Sequence, residues 1–255
     1  MGKLSEAIEG KPVTALIYGQ SGSGKTTTWS EMTKFPDVFC PIYCMDFDLR
    51  LDSLRVRRSK EEMDRIYFDS YRDLNIQGES FLKAQFIAND VKKVDKKYGV
   101  EFKTIIVDSA TFFMRSLMNR CLYLDGGKSS ATPPQLQNYN LQMSEMGDFV
   151  SKLVGCGRHV IFTVHEKNLE DKVTGKLTKV VDLTGDKSPD RIPGFFNEYW
   201  HCELRLKAGG ESEFVVRTKS DVFYGARTSF RTLQGVEKQE EIWGKIVKEL
   251  SGAQT

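Results

Sequence analysis

The chain has 255 residues, with 37 Lys+Arg against 35 Asp+Glu and a formal net charge of +2. That balance excludes a strongly basic nucleic-acid arm or an acidic solvating tail as the organising feature, while leaving a local patch open. An apolar fraction of 40% with 16 Phe supplies a sizeable core and excludes wholesale disorder.

Val13–Tyr18 (VTALIY) is a short apolar run ending at a glycine-rich turn, and it predicts a buried strand. Thr26–Lys34 predicts a short helix stopped near Pro36. Pro41–Asp46 and Arg65–Phe68 predict two further strands, with the basic segment Leu49–Arg58 between them ambiguous. From Ser80 to Tyr98 the apolar residues recur at three- and four-residue spacing, which predicts one helix ending at Gly99. Thr104–Asp108 (TIIVD) is the cleanest buried strand, with Asp at its exit. Phe112–Leu124 predicts a helix, Asp125–Pro134 a loop, Gln135–Val154 a long helix and His159–Val164 a buried strand. His165–Pro193 holds almost no continuous apolar run. It predicts either a small hairpin, with arms Val173–Gly175 and Leu177–Val181, or a long loop of the kind that is usually functional. Tyr199–Leu206 and Glu213–Thr218 alternate as antiparallel strands, and Val236–Leu250 predicts a terminal helix. Strands alternating with helices over the first 165 residues, followed by strands alone, predict an α/β fold with a mostly parallel sheet and antiparallel C-terminal strands. With no repeat and no linker-like composition, a single domain over residues 1–255 is expected.

Five cysteines, Cys40, Cys44, Cys121, Cys156 and Cys202, form no CxxC and no set with histidine. They read as small buried hydrophobes in a reducing, intracellular compartment. No apolar stretch approaches the roughly 18 residues of a membrane span. The opening MGKLSEAIEGK carries no apolar signal-peptide region, so neither a span nor a leader is expected.

Gly19, Gln20, Ser21, Gly22, Ser23, Gly24, Lys25 and Thr26, followed by Thr27, match the full GxxxxGK[ST] pattern between a strand and a helix. Glycines let successive backbone N–H groups turn inward around anionic oxygens, and the helix adds its positive end. In that chemistry Lys25 reaches the β- and γ-phosphates of a nucleotide, and the Thr26 hydroxyl sits on Mg²⁺. Asp108, at the exit of TIIVD, is the second metal-supporting group. Asp46 and Asp48 leave PIYCMDFD on the same side of an extended chain. A carboxylate near the γ-phosphate is needed to direct water; Asp48 is the first candidate and Glu166 its rival. Thr218-Lys219-Ser220-Asp221 and Asp182–Gly185 imitate the guanine-reading and DxxG motifs of GTPases. The second lies far beyond the loop where a γ-phosphate reader belongs and lacks a preceding apolar strand.

With these pieces the chain resembles the RecA-like ATPases, and more closely the phage-encoded nucleotide-binding proteins of the Sak4-like single-strand annealing group. The resemblance rests on GQSGSGKTT, CMDFDLRLD (Cys44–Asp52), TIIVDS and IFTVHEK (Ile161–Lys167), in that order, and spans about Pro12 to Arg231. It implies a RecA-like core with ATP and Mg²⁺. It makes Lys25, Asp48, Asp108 and His165 the catalytic set, with Asp48 where recombinases carry Glu and His165 where they often carry Gln. It also implies a homo-oligomer, ring or filament, in which Arg217, Lys219 or Arg227 of one copy completes a neighbour's site. DNA-facing loops correspond to Asp125–Asn138 and Glu166–Pro193, with Lys128, Lys167, Lys172, Lys176 and Lys179 as candidates. The implied biology is DNA-stimulated ATP hydrolysis in phage recombination or annealing. Its setting is the cytoplasm of an infected bacterium, its ligand single-stranded DNA, and a further partner a phage or host single-stranded DNA-binding protein. A P-loop small-molecule or nucleotide kinase, a helicase-loader-like ATPase and a nucleotide-gated assembly protein remain alternatives.

Overall fold

The computed structural model describes residues 11–127, 132–170, 175–183, 191–207 and 209–252. The first strand, β1 (Thr14–Gly19), is buried at every position and runs into the glycine-rich turn and the short helix α1 (Lys25–Ser30). A 3₁₀ turn (Glu31–Lys34) and one helical turn, α2 (Pro36–Phe39), lead to β2 (Ile42–Asp46). The ambiguous basic segment forms a 3₁₀ helix, Leu51–Val56, followed by α3 (Lys60–Met63) and β3 (Ile66–Ser70). Then come α4 (Glu79–Ala88), α5 (Lys92–Tyr98), β4 (Thr104–Asp108), α6 (Ala110–Leu124) and α7 (Leu136–Val154). The chain continues as β5 (His159–Glu170), β6 (Leu177–Val181), a 3₁₀ turn at Ile192–Phe195, β7 (Glu198–Leu206), β8 (Ser212–Arg217), β9 (Val236–Lys238) and α8 (Ile242–Leu250).

The sheet order is β3-β2-β4-β5-β1-β7-β8-β9, with β6 paired to the far end of β5. Pairing is parallel from β3 through β7 and antiparallel beyond it. This is the expected mixed sheet. Strands such as TIIVD are apolar on both sides because helices cover both faces. Alternate residues of β1 divide between two cores. Leu16 and Tyr18 face the layer of α4 to α7, where Phe113 and Phe149 stack at 4.3 Å. Ala15 and Ile17 face α1 and α8, with Trp29, Trp200 and Trp243 all fully buried. Full burial of an aromatic such as Phe113 contributes about 1.5–3 kcal/mol, so these two layers supply most of what holds the sheet rims in register.

Three sequence expectations need correction. Ser80–Tyr98 is two helices, broken at Asn89 and Asp90, where the Asp90 carboxylate takes the Lys92 N–H and starts the second. Asp is a poor helix-interior residue for this reason: it bonds nearby backbone instead. The hairpin within His165–Pro193 exists, but its first arm is the continuation of β5, with Glu166 opposite Val181 and Glu170 opposite Leu177. Polar residues that looked unlike a strand are tolerated there because this part of β5 projects beyond the sheet. Val173 lies outside the described residues. Finally, Val236–Lys238 is an edge strand on β8, and only Ile242–Leu250 is helical.

Candidate nucleotide site

In-register pairing brings four strand ends to one rim. Gly19 lies opposite His165, and Asp46 opposite Asp108. The P-loop therefore opens beside the acidic exits of β2 and β4. Only glycine fits at position 19, since a Cβ there would stand 2.3 Å from the Cys202 carbonyl oxygen. Lys25 is buried, and its Nζ donates to the carbonyls of Gly19 (2.9 Å) and Gln20 (2.7 Å). Burial pulls its ammonium below the usual lysine range, opposed by nearby acidic groups. The Ser23 hydroxyl is buried in the loop with no hydrogen-bond partner, a polar group that a phosphate oxygen would satisfy. Gln20 and Ser21 are exposed at the loop's tip, and Gly22 with them, while Thr27 is half-buried on α1.

Asp108 carries the densest set of contacts. Its Oδ2 accepts from Thr26 Oγ1 (2.8 Å) and Trp29 Nε1 (2.9 Å), and its Oδ1 from Thr163 Oγ1 (2.5 Å). Burial raises its pKa, and these donors oppose the rise. The Thr26–Asp108 pair is a hydroxyl and a carboxylate in contact. Hard oxygen donors of this kind suit Mg²⁺, so the residues fit the metal that a P-loop enzyme uses.

Asp48 sits across from them. Its Oδ1 accepts from Ser109 Oγ (2.8 Å), and its Oδ2 lies 3.5 Å from His165 Nε2. Burial by itself would raise its pKa. Contacts with His165 and Ser109 and the Lys25 charge outweigh that, and the carboxyl is held below the ordinary range. Asp46 does different work. Its Oδ1 accepts the Leu49 N–H (2.8 Å), and Leu49 has φ 55°, a left-handed conformation unusual for a branched side chain. Asp46 thereby pins the turn that aims Asp48. Its own carboxyl is pushed up to about 6, by burial first and then by the neighbouring Asp108 and Asp48 charges.

The structure brings Lys25, Thr26, Asp48, Asp108 and His165 together and places Glu166 elsewhere. Glu166 points to the opposite side of β5, where its carboxylate meets His201 Nε2 (2.7 Å) and Lys179 Nζ (2.5 Å). Burial would raise its pKa, but these two partners bring it down to about 2. Arg217 is held by Glu203 (3.2 Å) and Asp221 (2.8 Å) in its own chain. Arg227 donates to the carbonyls of Pro193 and Phe196. Lys219 is exposed, with no ion pair among the described residues. Asp221, the acid of the guanine-like motif, accepts the N–H groups of Phe223 and Tyr224 and caps its own turn. Lys167 donates to the Leu183 carbonyl (3.4 Å), and Lys176 is exposed. Lys128 and Lys172 lie outside the described residues.

Sequence reasoning missed Trp29, Thr163, Ser109 and Gln239. The first three hold the two carboxylates. Gln239 donates to the Gly24 carbonyl and to Thr28 Oγ1, tying β9 to the P-loop from 215 residues away. Nothing local in the chain marks these side chains. A buried Trp reads as core, and a Thr inside a strand as a β-former.

No helix among the described residues is long and apolar enough to cross a membrane. A family profile described as an AAA domain matches residues 11–230. No curated protein matches the chain. Among solved structures, a KaiC-like protein from the hyperthermophilic archaeon Pyrococcus horikoshii aligns over 90% of this chain and 89% of its own, at 14% identity and a TM-score of 0.44. The strand–P-loop–helix unit, the buried acid at the end of β4 and a profile match over most of the chain agree: this protein belongs to the AAA domain family and is an ATP-binding, ATP-hydrolysing P-loop enzyme on a RecA-like α/β core.

Proposed function

We propose that this enzyme couples its ATP cycle to single-stranded DNA through the β5–β6 hairpin, acting in phage recombination or annealing as the Sak4-like resemblance suggests. One observation carries the reading. β5 runs unbroken from His165, 3.5 Å from Asp48, into the hairpin arm that pairs with β6. The His165 backbone is also tied on both sides, its N–H to Thr111 Oγ1 (3.0 Å) and its carbonyl to the Asp182 N–H (2.6 Å). A change at the phosphate site therefore moves both ends of the hairpin.

In this reading Lys25 binds the β- and γ-phosphate oxygens, exchanging its two loop carbonyls for them. Thr26 and Asp108 hold Mg²⁺, which neutralises charge on the phosphates. Asp48, ionised, orients the attacking water and receives its proton, and Ser109 keeps the carboxylate aimed. His165 senses the group beside Asp48. The hairpin's Lys167, Lys176 and Lys179 face phosphodiesters. Lys179 is released from Glu166 to do so. The chain works as a homo-oligomer, and the exposed Lys219 is the best placed of the three cations to reach a neighbour's nucleotide.

The test is ATP hydrolysis with and without single-stranded DNA in one assay, with Lys25→Ala as the inactive control. Stimulation by DNA that is lost in His165→Ala supports the coupling. A rate indifferent to DNA, or DNA binding by a stable monomer regardless of nucleotide, refutes it. The reading then moves to a nucleotide-gated assembly or a kinase. Mixing Lys219→Ala with Lys25→Ala chains tests the shared site: recovered activity supports it, none removes it.

A further inference from the structure

A cleft of about 510 Å³ opens beside the P-loop, within the size range of small-ligand sites. Thr27 of α1 lines it, together with Arg57 and Phe214. Phe214 belongs to β8 and stands close against the loop, since a Cβ at Gly24 would lie 3.0 Å from its ring. Arg57 follows the 3₁₀ helix Leu51–Val56 that continues from the Asp48 turn. Its guanidinium lies over the Phe214 ring, 4.7 Å from the centroid. Arg57 is exposed and has no carboxylate partner among the described residues. Its neighbour Arg58 is the reverse: buried, bonded to Ser30 Oγ (3.0 Å) and paired with Glu31, it fixes this segment to α1.

We propose that this cleft is the nucleoside site of the enzyme, where the base stacks by one face on the Arg57–Phe214 pair and nucleoside triphosphates bind with little discrimination between adenine and guanine. The inference rests on the ATP reading of the P-loop and extends it to the base. Aromatic and guanidinium planes both stack on nucleobases, and stacking is tolerant of base identity because every base has a π-face. Groups able to read the base edge are largely committed to the walls. Glu31 pairs with Arg58, Glu213 with Lys207 (3.1 Å), and Gln239 with the Gly24 carbonyl and Thr28. A planar base extends the existing Phe214–Arg57 stack. Its phosphates lie on the Thr27 side of the cleft, toward the P-loop.

The experiment is calorimetric titration of the full chain with ATP, GTP and inorganic tripolyphosphate, each with Mg²⁺, for the wild type, Arg57→Ala and Phe214→Leu. Arg57 is exposed, so its variant does not threaten folding, and Phe214→Leu keeps apolar bulk against the loop. Both variants are expected to weaken ATP about fivefold or more while leaving tripolyphosphate within about twofold, since only the nucleotide carries a base. GTP is expected to bind the wild type within about tenfold of ATP, because the two purines present similar faces. Unchanged ATP affinity in both variants, or an equal loss for tripolyphosphate, overturns the assignment. Discrimination of about a hundredfold or more between ATP and GTP overturns the face-only grip. A wild-type chain that binds neither ATP nor tripolyphosphate is a separate result: it sinks the ATP reading itself and this inference with it.

Discussion

Thr163→Val tests whether Asp108 is held as a buried, ionised carboxylate by its donors. The substitution replaces a hydroxyl by a methyl at a fully buried position and removes the donor on Asp108 Oδ1. Trp29 and Thr26 remain on Oδ2. A hydrogen bond to a charged group contributes about 1.5–3 kcal/mol, and one between neutral groups about 0.5–1.5 kcal/mol. The Asp108 pKa is already raised in the fold by burial, from an unfolded value near 3.9. Folding therefore bears a cost for keeping the group ionised, absent below the unfolded pKa and complete above the folded one. The variant lifts the folded pKa further, so the destabilisation grows with pH. Urea unfolding should show a loss of about 1.5–3 kcal/mol near pH 8, shrinking toward about 0.5–1.5 kcal/mol as the pH approaches 4. ATP hydrolysis at the higher pH should fall with it. A loss of the same size at every pH would mean that Thr163 acts by packing alone. No loss at pH 8 would remove the carboxylate from the account altogether.

Asp48→Asn keeps the side chain's shape and removes its basicity, so hydrolysis should drop by about 10²–10⁴-fold with ATP affinity little changed; equal turnover would exclude Asp48 as the water-directing group. Because Asp48 is held below its usual range, an acid limb in turnover near pH 6 belongs to Asp46, pushed up to about 6. Asp46→Asn should abolish that limb, and a limb that persists assigns it to another group. Glu166, lowered to about 2 in the fold, contributes stability that is fully present above its unfolded pKa near 4.3 and lost as pH falls toward 2. Glu166→Gln should therefore cost about 2–3 kcal/mol near neutral pH and little near pH 2, and a pH-independent loss in chemical unfolding counts against the ion-pair account. Gly78 has φ 69°, and a Cβ there would meet the Ser116 carbonyl oxygen at 2.8 Å. Gly78→Ala should lower stability by at least about 2 kcal/mol, a fall of roughly 4–8 °C in Tm, and an unshifted melting curve would show that the α4–α6 contact yields.

Much of the site was legible because its chemistry is written over short spans. The P-loop's glycines, lysine and threonine act through backbone they themselves shape, and TIIVD announces a buried strand with an acid at its exit. Asp48 could be proposed as a neighbour of the phosphates because it leaves an apolar strand on the rim of the phosphate loop, whereas His165 was named by the RecA-like resemblance. What was not legible depends on partners distant in sequence. Glu166 stood as the rival of Asp48 until the pleat turned it to the opposite side of β5, against His201 and Lys179. Arg217 and Arg227 looked free to cross to a neighbour until their in-chain partners appeared.

By itself, the sequence determined the fold class, the phosphate loop, the acid at the end of β4 and the strands of the central sheet, since each follows from local backbone freedom or from runs apolar on both faces. Only the tertiary structure decided the strand order, with β5 between β4 and β1, and so the 3.5 Å approach of His165 to Asp48. It alone gave Asp108 its Trp29 and Thr163 donors, extended β5 into the hairpin and stacked Arg57 on Phe214 in the lining of one cleft. Burial and register are properties of the assembled sheet: a carboxylate's charge, a lysine's partner and a ring's neighbour are fixed by what packs against them, which no local spacing records.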